Sequence, residues 1–498
     1  MTNTLILILP NQLFDYKLYN NIDDSNKFFI ILEDDYFFNY FKYHKLKLAF
    51  HRASMKFYYD KLKSRNKLYI ENIEKNHKKL IEDYIKQKKI DKIIMFNPIE
   101  KYLINYYTKN FDLEFISSPY FLNKDNEIIK KEINNNFRHD IFYKNQRIKY
   151  NIMVDKNNKP IGNKWSFDTE NREKFPKNQK ELNILTFNNS KYIIDAINYI
   201  NSNFKNHYGN LIKDNFIYGI NRQNALKLLK DFVKRKLDNF GKYEDALSSN
   251  IKFGYHSVLS PYTNIGLITP EDIIEEVRNY KKNLASKEGF IRQVIGWREY
   301  CYYIYDTIKL EPFYKKHNKK DIPDKFWNAN TNIPFIDNII NNINNYAYSH
   351  HIERLMCIGN FLILIGVKPE EIYNWFQTMY IDAYDVFMIP NVYGMLMYGY
   401  DNINNKKVHM MTKPYFCSSN YILKMSDFKK EEIIINNKNI FWNDIFDALY
   451  YNLINNYQDE FKTIYSTSSS VARWKKYSIK EKNEYLDLAE EYIKWIYK

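Results

Sequence analysis

Three short, unbroken apolar runs constrain the fold of this chain most. Leu5-Ile6-Leu7-Ile8-Leu9 stops at Pro10, Phe28-Phe29-Ile30-Ile31-Leu32 stops at Glu33-Asp34-Asp35, and Ile93-Ile94-Met95-Phe96 stops at Asn97-Pro98. Runs this short, ended by polar residues or proline, suit strands buried on both faces. Longer charged segments with apolar periodicity lie between them, such as Tyr40 to Leu62. Strands alternating with helices imply a parallel α/β sheet. Such a sheet binds ligands beyond the carboxyl ends of its strands, here Asn11-Gln12 and Glu33-Asp34. There is no G-x-G-x-x-G, so the usual dinucleotide fingerprint is not supported.

From about Lys131 to Asn206 the pattern weakens, and Asn, Lys and Pro dominate. This reads as a long connection containing some helix. Within it, Lys164-Trp165-Ser166-Phe167-Asp168-Thr169-Glu170-Asn171-Arg172 is unusually specific for a linker. After Tyr208 the chain reads as helix after helix, broken at Gly241, Gly254, Pro270, Gly366 and Pro390. Thr269-Pro270-Glu271-Asp272 carries the N-cap, the N1 proline and the acidic first turn of a helix start. The expected division is an α/β domain over 1–130, a connector over 131–206 and a helical domain over 207–498.

Composition narrows the class. A chain of 498 residues exceeds one ordinary core, and 45% hydrophobic residues suffice for well-packed ones. The formal net charge of +15 favours polyanionic partners such as nucleic acid. The aromatic share of 17% reflects AT-rich codons as readily as function. Cys301, Cys357 and Cys417 lie too far apart for a Cys-built metal site or disulfide framework, which points to a reduced, intracellular setting. No apolar run reaches membrane-spanning length and no secretory signal opens the chain, so a soluble protein is expected.

Five constellations carry chemistry. In His256-Ser257-Val258-Leu259-Ser260-Pro261-Tyr262, two hydroxyls before a proline bend either cap a helix or face a phosphate. In Phe290 to Tyr300, Arg292, Gln293, Trp297, Arg298 and Glu299 recur at helical spacing. That is a salt-bridged surface helix or the wall of an anion and aromatic site. His350-His351 precede Ile352, Glu353, Arg354 and Leu355 and are either packed or proton-transferring. Trp375 and Asp382-Ala383-Tyr384-Asp385, running on to Pro390-Asn391, offer a core Trp or redox partner beside buried acids. Lys413, Tyr415 and Tyr421 suit a phosphate contact and a base-lining pocket.

Taken in order, these stretches resemble the photolyase/cryptochrome family, closest to its bacterial (6-4) and photolyase-related branch. The resemblance implies an α/β antenna-type domain followed by an all-helical FAD domain. It implies that Ser257, Leu259 and Ser260 meet the FAD diphosphate. Arg292, Gln293, Arg298, Asp382, Asp385 and Asn391 also face the cofactor. Trp375 and Trp327 are the proximal and distal electron donors. His351 is the catalytic proton-transfer residue with His350 in support, and Trp297, Tyr415, Tyr421 and Lys413 meet the lesion or DNA. A ribityllumazine-like antenna is expected near Glu33, His44 and Lys47.

Four departures from that branch follow. Its four iron–sulfur cysteines align with Phe335, Lys429, Glu432 and Asp444, so no cluster is expected and apolar packing around Phe335 and Phe446 replaces it. Met388 stands where relatives carry an acid near the flavin, and Phe376 where they carry a tyrosine. Asn402 to Lys407 is an insertion.

The resemblance implies a monomeric, light-driven photolyase acting on UV-damaged DNA by electron transfer from excited reduced FAD, with the (6-4) photoproduct as lesion. A cyclobutane-dimer photolyase, a cryptochrome-like blue-light sensor and a flavin-free DNA-binding helical protein are the rivals.

Overall fold

The computed structural model describes residues 2–22, 26–74, 76–124, 138–170, 172–187 and 190–498. Lys131, where the connector was placed to begin, and Asn171 of the linker motif lie outside them.

The three apolar runs are β1 (Asn3–Ile8), β2 (Asn26–Leu32) and β4 (Lys92–Phe96) of one parallel sheet. Its order is β3-β2-β1-β4-β5, with β3 at Lys67–Ile70 and β5 at Glu114–Ile116 on the edges. Leu5 pairs with both Phe28 and Ile93, so β1 runs through the middle of the sheet. Leu5 to Leu9 are almost wholly buried, as a strand covered on both faces requires.

Strand order reverses between β1 and β4, the position at which open α/β sheets usually receive ligands. Here that crevice is filled. Gln12 Nε2 donates to the Phe96 carbonyl at 2.5 Å. The Tyr120 hydroxyl bonds to the carbonyls of Asn11 and Asn264, the latter at 2.8 Å. The space left there is about 10 Å³, so the expected ligand position at Asn11-Gln12 is closed.

Helix Lys45–Lys61 joins the sheet to the rest of the molecule. Lys47 Nζ donates to the Ala383 carbonyl at 2.7 Å, and His51 Nε2 meets the Tyr384 hydroxyl at 2.8 Å. The connector is more ordered than its composition suggests. Helix Lys191–Asn203 buries Ile193, Ala196, Ile197 and Ile200. The Tyr192 hydroxyl donates to Asp60 on Lys45–Lys61 at 2.7 Å.

The remainder is helical, apart from two hairpins. One, Tyr400–Ile403 with Lys406–His409, contains the stretch Asn402 to Lys407 that was expected as an insertion. Asn404 and Asn405 both take positive φ (51° and 63°), the pattern of a tight two-residue hairpin turn. The helix expected at Thr269 runs Pro270–Arg278 with a complete capping box. Around Phe335, Phe428, Trp442 and Phe446 pack edge to face with centroids 5.3–6.2 Å from Phe335. Aromatic rings therefore pack around Phe335, one of the four positions that the resemblance aligned with cluster cysteines.

Among the described residues, no helix is long and apolar enough to cross a membrane.

Candidate active site

Three helical stretches widen into π-helix: Arg292–Arg298, Glu353–Gly359 and Ile389–Leu396. Such widening is rare and concentrates at functional sites. All three border one cavity of about 280 Å³. Each sends residues into its wall: Gln293, Trp297 and Arg298 from the first, Arg354 and Leu355 from the second, Asn391 and Leu396 from the third.

A fourth wall comes from the serine segment. Val258 has φ 53°, a strained conformation for a β-branched residue. It turns the chain so that Ser257 and Ser260 both line the cavity, while Leu259 is buried as packing. The connector braces this turn, because the Glu181 carboxylate accepts from the backbone N–H groups of Lys252, Phe253 and Gly254.

The polar centre is a buried pair. Arg354 Nη1 and Nη2 donate to Asp382 Oδ1 and Oδ2 at 2.9 and 3.1 Å. Ser260 Oγ donates to Asp382 Oδ2 at 2.6 Å. Burial opposes the Arg354 charge, but the Asp382 carboxylate outweighs it and raises the guanidinium pKa. The Arg354 guanidinium also lies 4.0 Å from the Tyr380 ring centroid.

Arg298 is the second cation. Burial pushes its pKa down to about 10, so it stays charged at neutral pH. Among the described residues its hydrogen bonds go to neutral oxygens, chiefly Asn264 Oδ1 at 2.5 Å. Its buried Nε has no partner. Trp297 Nε1 donates to Asn391 Oδ1 at 3.0 Å, which fixes the indole plane against the wall. Gln293 Nε2 donates to Glu244 Oε1 at 2.9 Å.

The two histidines divide. The His351 ring is exposed to the cavity, whereas His350 is 5% exposed and stacks on His256 with ring centroids 4.5 Å apart at 9°. Enclosure by the protein, then the Arg354 charge, pushes His351 down to about 4. His351 remains open to solvent on its cavity side, so that enclosure is partial.

Four expectations shift. Asp385 is away from the cavity; its carboxylate binds the Tyr373 hydroxyl and Gln377 Nε2, and its N–H donates to the buried Glu100. Arg292 does not line the cavity but pairs with Asp168 at 3.2 Å and Glu288 at 3.4 Å, tying the linker motif to the helical domain. Trp375 is 1% exposed and stands behind Phe376, which lines the wall. Tyr415 and Tyr421 do not line it either. Tyr421 lies within electrostatic reach of Asp245, a wall residue, and Arg172, and exposed Lys413 stands 5.4 Å from the Tyr415 ring centroid.

Trp375 and Trp327 do meet, with centroids 6.3 Å apart. Trp327 in turn stacks on Tyr208 at 4.4 Å and 15°. The aromatic row thus runs from the wall at Phe376 through Trp375 and Trp327 to half-buried Tyr208.

The antenna residues are occupied by protein. Glu33 pairs with Arg52 at 2.7 Å, His44 Nε2 meets the Asn344 carbonyl at 3.0 Å beneath Gly209, and burial pushes Lys47 down to about 7. None of the three lines the cavities at the candidate site, at the strand-order reversal or beside Tyr58.

Sequence reasoning missed Glu244, Asp245, His256 and Arg354 as wall residues. Arg354 was legible as the cation one helical turn beyond the His pair. Glu244 and Asp245 follow the Gly241 break and had no such signal.

Residues 6–216 match the family model for deoxyribodipyrimidine photo-lyase-related protein. A (6-4) photolyase of Agrobacterium fabrum is 31% identical over 355 residues, covering 68% of this chain and 66% of its own length. An uncharacterized protein of Acanthamoeba polyphaga mimivirus is 39% identical over 107 residues, 22% of this chain and 76% of its own. Among solved structures, a class III photolyase from Agrobacterium tumefaciens superposes with a TM-score of 0.53 at 13% identity, covering 78% of this chain and 79% of that one. A Synechocystis cryptochrome gives 0.50 at 13% identity, over 78% and 81%. The parallel α/β unit and the helical domain with its cavity are therefore of photolyase/cryptochrome type. The chain belongs to the photolyase/cryptochrome family.

Proposed function

We propose that the chain is a light-dependent DNA photolyase that uses FAD, with the (6-4) photoproduct as its preferred lesion. The observation that carries this reading is the convergence of Ser257/Ser260, Trp297/Arg298, His351 and Asp382/Asn391 on one cavity.

The residues present fit the cofactor. Arg298 keeps its charge, bonds only neutral oxygens among the described residues, and leaves Nε unpartnered, as an anion site requires. With Ser257 and Ser260 it would hold the diphosphate. Asp382, Gln293 and Asn391 would face the polar edges of the ring system. When bound, reduced FAD supplies the photoexcited electron.

The remaining roles belong to the chain. The Arg354–Asp382 pair keeps a fixed charge pattern at the cavity wall. His351 stands at the cavity wall and can take a proton at one ring nitrogen while giving one from the other. A (6-4) lesion needs such a transfer because a hydroxyl must move between the bases; a cyclobutane dimer does not. Trp297 offers a flat face to an extruded base, and extrusion of a damaged pair costs only a few kcal/mol. The net charge of +15 favours the DNA encounter. The row Trp375–Trp327–Tyr208 would return electrons from the surface. We further propose that no iron–sulfur cluster is bound, since Phe335 and its ring partners fill the position.

The test is to denature the purified protein, quantify released FAD, and record its light-driven reduction with an external thiol. About one FAD per chain supports the reading; flavin-free protein that takes up no FAD refutes it.

A further inference from the structure

The turn that follows Asp382 is held from outside the helical domain. Asp382 itself is fixed within that domain, its carboxylate by Arg354 and Ser260 and its carbonyl by Asn264 Nδ2 at 2.8 Å. From the next residue on the partners change. The Ala383 carbonyl accepts from Lys47 Nζ at 2.7 Å, and the Tyr384 hydroxyl meets His51 Nε2 at 2.8 Å. The N–H groups of Asp385 and Val386 donate to the Glu100 carboxylate at 3.1 and 3.5 Å. Lys47 and His51 stand on helix Lys45–Lys61, and Glu100 follows β4, so all three belong to the α/β unit. Four successive residues of one turn are thus fastened to that unit.

Lys47 and Glu100 differ from ordinary docking contacts. Lys47 is 2% exposed and Glu100 1%. Burying a charged group is costly, and apolar side chains would dock the same surfaces at less cost. Among the described residues, the hydrogen-bond acceptors of Lys47 are backbone carbonyls, that of Ala383 and, at 3.5 Å, that of Gln377. Asp382, Glu100 and Asp385 lie within its electrostatic reach and oppose the burial that presses its pKa down. Glu100 is oriented in turn, since the Tyr36 hydroxyl donates to its Oε2 at 3.1 Å. Polar groups buried at this cost and bonded to backbone fix where the chain runs.

The turn leads into the cavity wall. The short helix Asp385–Met388 continues into the π-helical Ile389–Leu396, and Phe387, Met388 and Asn391 of this run line the cavity. Gln377, the second acceptor of Lys47, directly follows Phe376 of the wall on helix Pro369–Met379. The turn Ala383 to Val386 therefore has one wall residue, Asp382, before it and another, Phe387, after it.

We propose that Lys47 and Glu100 are positioning residues for the cavity: they let the α/β unit set the turn from Ala383 to Val386, and with it the reach of Asp382 and Asn391 into the site, a role that rests on the reading of the cavity as a flavin site. Neither residue lines the cavity, so both act through the backbone they hold.

The experiment compares the full native chain with Lys47→Met and Glu100→Met, which keep side-chain length and remove the polar end. Phe335→Ala serves as a destabilised control away from the turn. Amide hydrogen exchange is read by mass spectrometry on flavin-free protein, and FAD affinity and the visible circular dichroism of the bound flavin on loaded protein. Each Met variant should speed exchange from Ala383 to Asn391 by about tenfold or more, the size expected when one charge-assisted hydrogen bond is lost. Each should also weaken FAD by about tenfold and alter the visible dichroism, and Phe335→Ala should do neither. Should one Met variant not fold, the other carries the same test; loss of folding in both would make the two residues structural and overturn the proposal. Exchange of the turn unaltered in the folded variants, or raised equally by Phe335→Ala, would also overturn it. A loosened turn with unaltered FAD affinity and dichroism would overturn its link to the site. A native chain that takes up no FAD would refute the flavin reading instead, and exchange in the flavin-free protein would still decide whether the two residues set the turn.

Discussion

Removing the guanidinium of Arg354 tests how the cavity is held. Arg354→Met keeps the length of the side chain but strips two charge-assisted bonds to Asp382 and a third, from Nε to the Ser349 carbonyl at 2.8 Å. The side chains are 14% and 6% exposed, so solvent screening is weak. What remains is a buried carboxylate supported by the Ser260 hydroxyl. Breaking one side of a buried pair costs about 3–5 kcal/mol. Replacing both sides, as in Arg354→Met/Asp382→Leu, removes the uncompensated charge and should recover at least about 2 kcal/mol of that loss. Urea unfolding followed by tryptophan fluorescence, run as a double-mutant cycle, measures both numbers. Single variants that cost under about 1 kcal/mol and add in the double variant would show that the pair is not the organising contact described here.

Other outcomes follow from the same geometry. His351→Ala should retain FAD and lose repair of the (6-4) lesion, because the proton shuttle is gone while the cofactor contacts remain; unchanged repair would make that histidine structural. Burial lifts Glu244 from its ordinary 4.5 to about 8, so its folded form favours the proton. Its stabilising contribution is full below pH 4.5 and is lost as pH rises through about 8. The thermal midpoint should therefore fall over that window, and Glu244→Gln should flatten the fall; identical profiles would contradict the assignment. Trp327→Phe should slow light-driven flavin reduction by roughly tenfold, read by absorbance after a laser pulse, since the row to Tyr208 is cut. Phe335→Ala should destabilise by about 3–5 kcal/mol in urea, since it removes the ring that Trp442 and Phe446 pack against.

The central strands were legible because burial on both faces writes an unbroken apolar run. The edge strands Lys67–Ile70 and Glu114–Ile116 were not, since one side meets solvent and their residues are mixed. The hairpin around Asn402 to Lys407 was not legible as a hairpin, and its paired positive-φ asparagines reveal the turn. Within the site, Ser257, Ser260, Trp297, Arg298, His351 and Asp382 could be placed from the sequence because each sits in a motif of a known family. Arg292 could not be told from Arg298. Ordinary helical spacing groups them, but the π-helical widening leaves Gln293, Trp297 and Arg298 on the cavity and Arg292 against the linker. Asp385 lies away from the cavity for a different reason. It stands three residues from Asp382, across a sharp change of direction, and its partner Glu100 lies far away in sequence. The burial of Glu33, His44 and Lys47 was not visible from their types.

The central claim is light-driven repair of a defined lesion. The reduced, FAD-loaded protein should be illuminated with duplex oligonucleotides carrying a single (6-4) photoproduct or a single cyclobutane dimer, and restored thymines counted. Restoration of the (6-4) lesion alone, dependent on light and on His351, is the expected result. Full FAD occupancy with neither lesion restored would contradict the account.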